Sequence, residues 1–119
     1  MAIQGKIDLT QFRAEDWGST KRFVYGLYTG PKSYSNFFTN NGTGDPLVPG
    51  DVKLGQIHLM FFAPGFTSVG VPRFPAYVSP QQGGPPGGTI VWYQASTDLE
   101  VANGTDLSTY SAYFEALGL

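Results

Sequence analysis

The sequence predicts a single all-β domain, spanning residues 1–119, with long loops rich in proline and glycine. Sixteen glycines and nine prolines interrupt the chain every few residues, so no segment offers an uninterrupted helix of three turns. Between these breaks, short segments alternate as strands do. With 41% hydrophobic and 15% aromatic residues, a chain of this length can bury roughly two thirds of its unfolded surface without disulfides or metals.

The strand predictions follow this alternation of side chains along the chain. The segments are residues 5–12, 21–29, 54–62 and 89–95. Gly26 is a candidate bulge in the second of them. Residues 54–62 are apolar on both faces, which predicts a central strand covered on both sides.

The remaining segments are predicted from their turn and breaker residues. Residues 34–47 form a long loop, and the prolines of residues 64–79 favour an edge strand or an extended surface arm. Residues 81–88 form a flexible Gly/Pro loop, and residues 1–20 are a candidate N-terminal arm. Residues 108–119 fit either a helix or one face of a strand.

The low charge of the chain restricts its partners. Charged residues make up 13%, against about 25% in an average soluble domain, and the net charge is −2. Seven basic residues among nine acidic ones form no stripe for phosphates, so no nucleic-acid partner is expected. No segment approaches the roughly 20 apolar residues of a membrane span. The surface is therefore either an ordinary uncharged polar surface or one partly covered by neighbouring subunits.

Residues suited to catalysis are scarce. The chain has no cysteine and one histidine, His58, so a two-histidine metal site and a Cys-His pair are excluded. Spacing along the sequence does not exclude a pair of carboxylates for glycoside hydrolysis. However, Glu15 and Asp16 lie in a polar segment typical of solvated turns. We expect no enzyme activity, no cofactor and no metal.

Aromatic residues on the two irregular segments are the candidate protein-interface residues. They are Tyr34, Phe37 and Phe38 in the first and Phe66, Phe74 and Tyr77 in the second. Rings on irregular arms often anchor interfaces, because each buries a large area at low rotamer cost. The alternative is that the arms fold back and complete the domain's own core, and both can hold for different residues.

The C-terminal half resembles a known group of proteins. The residues concerned are 54–58 (Leu-Gly-Gln-Ile-His), 88–93 (Gly-Thr-Ile-Val-Trp-Tyr), 100–108 (Glu-Val-Ala-Asn-Gly-Thr-Asp-Leu-Ser) and the ending 114–119 (Phe-Glu-Ala-Leu-Gly-Leu). In these residues the chain resembles small tailed-bacteriophage virion structural proteins of the head decoration or cement type. The resemblance covers about half of the chain. It implies a β-sandwich or jelly-roll-like fold, a strand in the last segment and no catalysis.

The resemblance also implies a function and partners. We expect a capsid decoration or cement protein that stabilises the head by bridging subunits of the major capsid protein. It would associate with itself, as a homotrimer, and lie on the capsid surface of the virion after synthesis in the host cytoplasm. The alternatives are a neck or tail structural protein, or a host-surface carbohydrate-binding module that stacks a sugar on Trp17 or Trp92.

Overall fold

A computed structural model describes residues 3–17, 21–35, 44–63, 72–79 and 88–119. Its strands are β1 (Lys6–Trp17), β2 (Lys21–Thr29), β3 (Asp45–Leu47), β4 (Ile57–Phe62), β5 (Arg73–Val78), β6 (Gly88–Gln94) and β7 (Ser111–Gly118). A single turn of 3-10 helix, Pro49–Val52, precedes β4. Among the described residues, no helix is long and apolar enough to cross a membrane.

The strands form two antiparallel sheets. The four-stranded sheet has the order β1-β2-β7-β4, and the three-stranded sheet has the order β3-β6-β5. The predicted all-β class is confirmed, and the architecture is that of a β-sandwich. The central strands are β2, β7 and β6, and the edges are β1, β4, β3 and β5.

Side chains from the inner faces of both sheets form the core. Val24 and Tyr28 of β2 and Phe114 of β7 are fully buried against Ile90 and Trp92 of β6. The ring of Tyr28 lies 6.0 Å from that of Trp92, centroid to centroid, across the sandwich. This alternation of buried residues explains why β2 spans the predicted residues 21–29.

The prediction for residues 54–62 is wrong in one respect: β4 is an edge strand and not a central one. It pairs with β7 alone among the described strands, and its side chains Leu59 and Phe61 are 50% and 61% exposed. Apolar residues on both faces of the segment predict cover on both sides, but only the face of Met60 and Phe62 meets the core. The register shift between Ile57 and Leu59 places the irregularity of this sheet edge in β4.

Other segments agree with one of the predicted alternatives. Residues 111–118 form a strand: β7 pairs with both β2 and β4, and its inward residues Ala112 and Ala116 are buried. Residues 73–78 form the edge strand β5, as the prolines predicted. The predicted loop 34–47 ends in the short strand β3, and the candidate N-terminal arm contains β1, which pairs with β2. Gly26 lies in continuous register with β7 and directly opposite the irregularity of β1, where the pairing with β2 passes from Asp8–Leu27 to Arg13–Tyr25 and the extra residues are in β1.

Candidate interaction surface

The outer face of the four-stranded sheet carries rings and aliphatic side chains. On β2 and β7, residues that face outward alternate with fully buried ones. The residues of this outer face are Phe23, Tyr25 and Leu27 on β2, Tyr113, Glu115 and Leu117 on β7, and Leu59 and Phe61 on β4. Among its described side chains on these three strands, Glu115 is the one charged group.

The pairing register arranges these side chains in cross-strand rows. One row consists of Phe23, Leu117 and Leu59; the next of Tyr25, Glu115 and Phe61; the third of Leu27 and Tyr113. Directly opposed residues on one face have Cβ atoms about 4.5–5.5 Å apart, so each row is a set of contacting neighbours. Exposure increases toward the sheet edge: Phe23, Tyr25 and Leu27 are half-buried, whereas Tyr113, Leu59 and Phe61 are exposed. The face is therefore a contiguous apolar surface and not a set of isolated residues.

Tyr34, the first predicted interface residue, belongs to the domain's own core. It is 1% exposed, and its hydroxyl donates a hydrogen bond to Glu100 Oε2 (2.7 Å) and accepts one from the backbone N–H of Trp92 (3.1 Å). Burial raises the pKa of the Tyr34 phenol, with a further rise from Glu100, so the hydroxyl keeps its proton. Tyr34 therefore completes the domain's own core, because its hydroxyl bonds both to Glu100 and to the backbone of Trp92 in β6.

Tyr34 also holds the segment that carries the C-terminal resemblance. Its N–H donates to the carbonyl of Thr105 (2.9 Å), and its own carbonyl accepts from the N–H of Gly104 (2.6 Å). Val101 and Leu107 of the same segment are fully buried. Residues 100–108 therefore have a structural role: they close the sandwich around the Tyr34 ring.

Replacing Tyr34 with phenylalanine is expected to lower the free energy of unfolding by about 1–3 kcal/mol, because the buried N–H of Trp92 loses its acceptor. Urea denaturation measures this change. The control is Tyr113→Phe, which removes a hydroxyl from a side chain that is 48% exposed and is expected to change stability by less than about 0.5 kcal/mol. Equal effects of the two substitutions would refute the role assigned to the Tyr34 hydroxyl.

The other predicted interface residues divide between the three-stranded sheet and undescribed segments. Phe74 is half-buried on β5 and stacks on Tyr93, with ring centroids 5.5 Å apart. Tyr77 is half-buried and packs against the core. Phe37, Phe38 and Phe66 lie outside the described residues. The structure thus does not bring the six predicted residues together on one surface within its described part.

Leu59, Phe61 and Tyr113 are the exposed residues that sequence reasoning missed as surface candidates. The apolar alternation of residues 54–62 was visible, but alternation does not say which face another layer covers. The available signal was the excess of apolar residues: burying both faces of this strand would need a third layer, and the described strands form two.

The arrangement offers little to catalysis within the described residues. Trp92 is fully buried, which removes it as a platform for a sugar, and Trp17 has no described side chain. No group of three His, Cys, Asp or Glu side chains that could hold a metal occurs in the described part of the chain. His58 lies exposed on the edge strand β4.

A buried polar cluster joins the N-terminal segment to both sheets. The carboxyl of Asp45, which is 2% exposed, accepts hydrogen bonds from the N–H groups of Gln4 (2.6 Å) and Gly5 (2.8 Å) and from the Tyr28 hydroxyl (2.8 Å). Trp92 Nε1 donates to the same hydroxyl (3.3 Å). Burial raises the pKa values of Asp45 and Tyr28. All these contacts lie inside the domain, so the cluster is structural.

Comparison of the chain with protein-family models, with curated proteins and with solved structures finds no match.

Proposed function

We propose that this chain is a bacteriophage virion structural protein, a capsid decoration or cement protein that stabilises the head by bridging subunits of the major capsid protein. The observation that carries the proposal is the apolar outer face of the four-stranded sheet. Leu59, Phe61 and Tyr113 are exposed there beside half-buried rings, Glu115 lies in the middle row, and Asp8 of β1 lies opposite Leu27. A contiguous apolar face of this kind is typical of a surface that binds another protein.

The physical basis of the proposed activity is burial of this face. Removing apolar surface from water contributes roughly 25 cal/mol per Å², and the rings of the outer face offer large areas at low rotamer cost. A protein that binds the assembled shell, and not its separate subunits, stabilises the shell by mass action. Such a protein needs no catalytic group. The low charge of the chain agrees with a surface made for protein contact, since charged residues are depleted in the centres of interfaces.

The resemblance in residues 100–108 supports the class of protein. The residues that carry it bond to Tyr34 and bury Val101 and Leu107, so they have a structural role in this chain. The link to a phage head rests on this resemblance, and the link to protein binding rests on the outer face.

On purified particles of the phage that encodes this sequence, the protein is expected in many copies spread over the head. Quantitative mass spectrometry of the particles gives the copy number, and electron cryomicroscopy gives the position. Absence from the particles, or a single ring of copies at the neck, would overturn the proposal.

The surface is tested by adding variants to particles that lack the protein. Tyr113→Asp places a further carboxylate on the outer face, two residues from Glu115, and is expected to reduce binding at least tenfold, because a charge buried without a partner is costly. Leu99→Asp is the matched control, since Leu99 is 66% exposed in the turn after β6 and away from this face. Equal binding by both variants would place the contact on another surface.

A further inference from the structure

Among the described strands, β4 pairs with β7 alone, so one side of its backbone has no partner strand in the described part of the chain. The N–H of Ala63 donates to the carbonyl of Tyr113 (2.8 Å), which fixes which residues of β4 bond to β7. In an antiparallel pair every second residue bonds to the partner strand. Counting back from Ala63, Phe61 and Leu59 therefore direct their backbone N–H and C=O groups to β7. Met60 and Phe62 direct theirs to the opposite side, where no described strand pairs with them.

The four edge strands of the sandwich differ in how they are protected. Natural sheet edges carry prolines or charges that discourage pairing with another chain. Strand β3 contains Pro46, β5 contains Arg73 and Pro75, and β1 contains several charged residues. Strand β4, with the sequence Ile-His-Leu-Met-Phe-Phe, contains neither proline nor a carboxylate, lysine or arginine. The register shift at its start leaves the stretch from Leu59 to Phe62 regular.

We propose that β4 pairs with β4 of a second copy of this chain, antiparallel, about a two-fold axis at Met60. In this register the outward backbone groups of Met60 bond to those of Met60 in the second copy. Leu59 then lies opposite Phe61 of the second copy on the outer face. The strand is self-complementary because this pairing opposes apolar side chains and no like charges.

The extent of the contact sets its strength. About this axis the five residues 58–62 oppose one another over about 17 Å, and a sandwich edge about 20 Å deep gives roughly 340 Å² per copy. A stable interface buries about 800 Å² per partner, so this contact alone is expected to give a weak dimer. Neighbouring copies held on a shared surface would strengthen it through their high local concentration.

The proposed β4 pair has two-fold symmetry, whereas the homotrimer that the resemblance implies has three-fold symmetry. A strand that pairs with itself in the antiparallel sense requires a two-fold axis and therefore closes as a dimer. The inference goes beyond the proposed function and does not depend on it, because self-association is measured in solution without particles.

The test is sedimentation velocity of the full chain from about 5 μM to 1 mM, together with amide hydrogen exchange at both ends of that range. The expected result is a monomer that converts to a dimer with rising concentration. Exchange at the Met60 amide is expected to slow at least threefold, whereas exchange at the Phe61 amide, which bonds to β7, changes less. Leu59→Lys, a charge placed at the open edge, is expected to weaken dimerisation at least tenfold. Leu99→Lys is the matched control and is expected to dimerise like the parent chain.

Three results would overturn the inference. The first is a monomer at every concentration, and the second is a trimer as the first associated species. The third is a dimer that Leu59→Lys leaves intact or that leaves Met60 exchange unchanged, which would locate the contact elsewhere. Circular dichroism of both lysine variants establishes that they are folded.

Discussion

Replacing Gly118 with alanine is expected to lower the free energy of unfolding by about 3 kcal/mol. A Cβ at this position would meet the carbonyl oxygen of Gln56 and lie 2.9 Å from its carbon and 3.2 Å from the Cα of Ile57. These are backbone atoms at the start of β4, so no side chain can rotate away and the two strands must separate. Urea denaturation measures the change.

The separation would also break the hydrogen bonds that join the chain end to β4. Leu119 accepts from the N–H of Gly55 (2.7 Å), and its own N–H donates to Gln56 (3.0 Å). Faster amide exchange at Gly55 is therefore a second expected result. Gly50→Ala is the matched control: a Cβ there has no heavy atom within 4 Å, and stability is expected to change by less than about 0.5 kcal/mol. Indistinguishable unfolding curves for the two variants would contradict the close approach of β4 and β7.

The strands that sequence reasoning placed best are those whose alternation coincides with burial. In β2, Val24 and Tyr28 face the core while Phe23 and Tyr25 face outward, and the turn residues after Thr29 end the strand where expected. For β5, Pro75 removes a backbone donor, and this local chemistry limits the strand to an edge wherever it lies. Periodicity and proline placement are properties of the chain itself, which is why they can be read before the fold is known.

The position of a strand within its sheet is not such a property. Residues 57–62 and 111–118 both alternate, and nothing in either segment alone says that β7 is central and β4 is at the edge. The difference is set by the tertiary fold: β7 pairs with both β2 and β4, whereas β4 pairs with β7 alone among the described strands and leaves Phe61 61% exposed. For this reason the exposed apolar surface lies on the outer face of the four-stranded sheet, where alternation alone does not reveal it.

Tyr34 shows the same limit for a single residue. The sequence showed a ring on an irregular segment and left two readings open, an interface anchor or a part of the core. The decision depends on Glu100 and Trp92, which are distant in sequence and contact the Tyr34 hydroxyl only in the folded chain. Hydrogen bonds between residues this far apart in sequence depend on the topology of the fold, so a local sequence pattern does not predict them.

Replacing Asp45 with alanine is expected to lower the free energy of unfolding by about 3 kcal/mol near pH 4. The substitution removes the acceptor of the N–H groups of Gln4 and Gly5 and of the Tyr28 hydroxyl, and a buried donor left without an acceptor costs about 1–3 kcal/mol. Relief from burying the carboxyl offsets part of this cost. Urea denaturation measures the change, and faster amide exchange at Gly5 would show that the N-terminal segment is released.

The control for Asp45 is Asp106→Ala, which removes an exposed carboxylate whose hydrogen bonds go to Ser108. Its replacement is expected to change the free energy of unfolding much less than Asp45→Ala does, because water can replace the lost partner. If Asp106→Ala lowered the free energy of unfolding as much as Asp45→Ala, burial of the acceptor would not explain the effect of Asp45→Ala.

The stability difference between the parent chain and Asp45→Ala also has a defined dependence on pH. Burial raises the pKa of Asp45 above its usual 3.8, although the hydrogen bonds from Gln4, Tyr28 and Gly5 oppose the rise. The folded chain therefore holds this proton more tightly than the unfolded chain, and the resulting stability is complete below pH 3.8 and is lost as pH rises through the folded pKa. Asp45→Ala lacks this titration, so the difference should narrow from pH 3 to pH 7. A difference that widens over this range would mean that the hydrogen bonds to the carboxylate outweigh its burial.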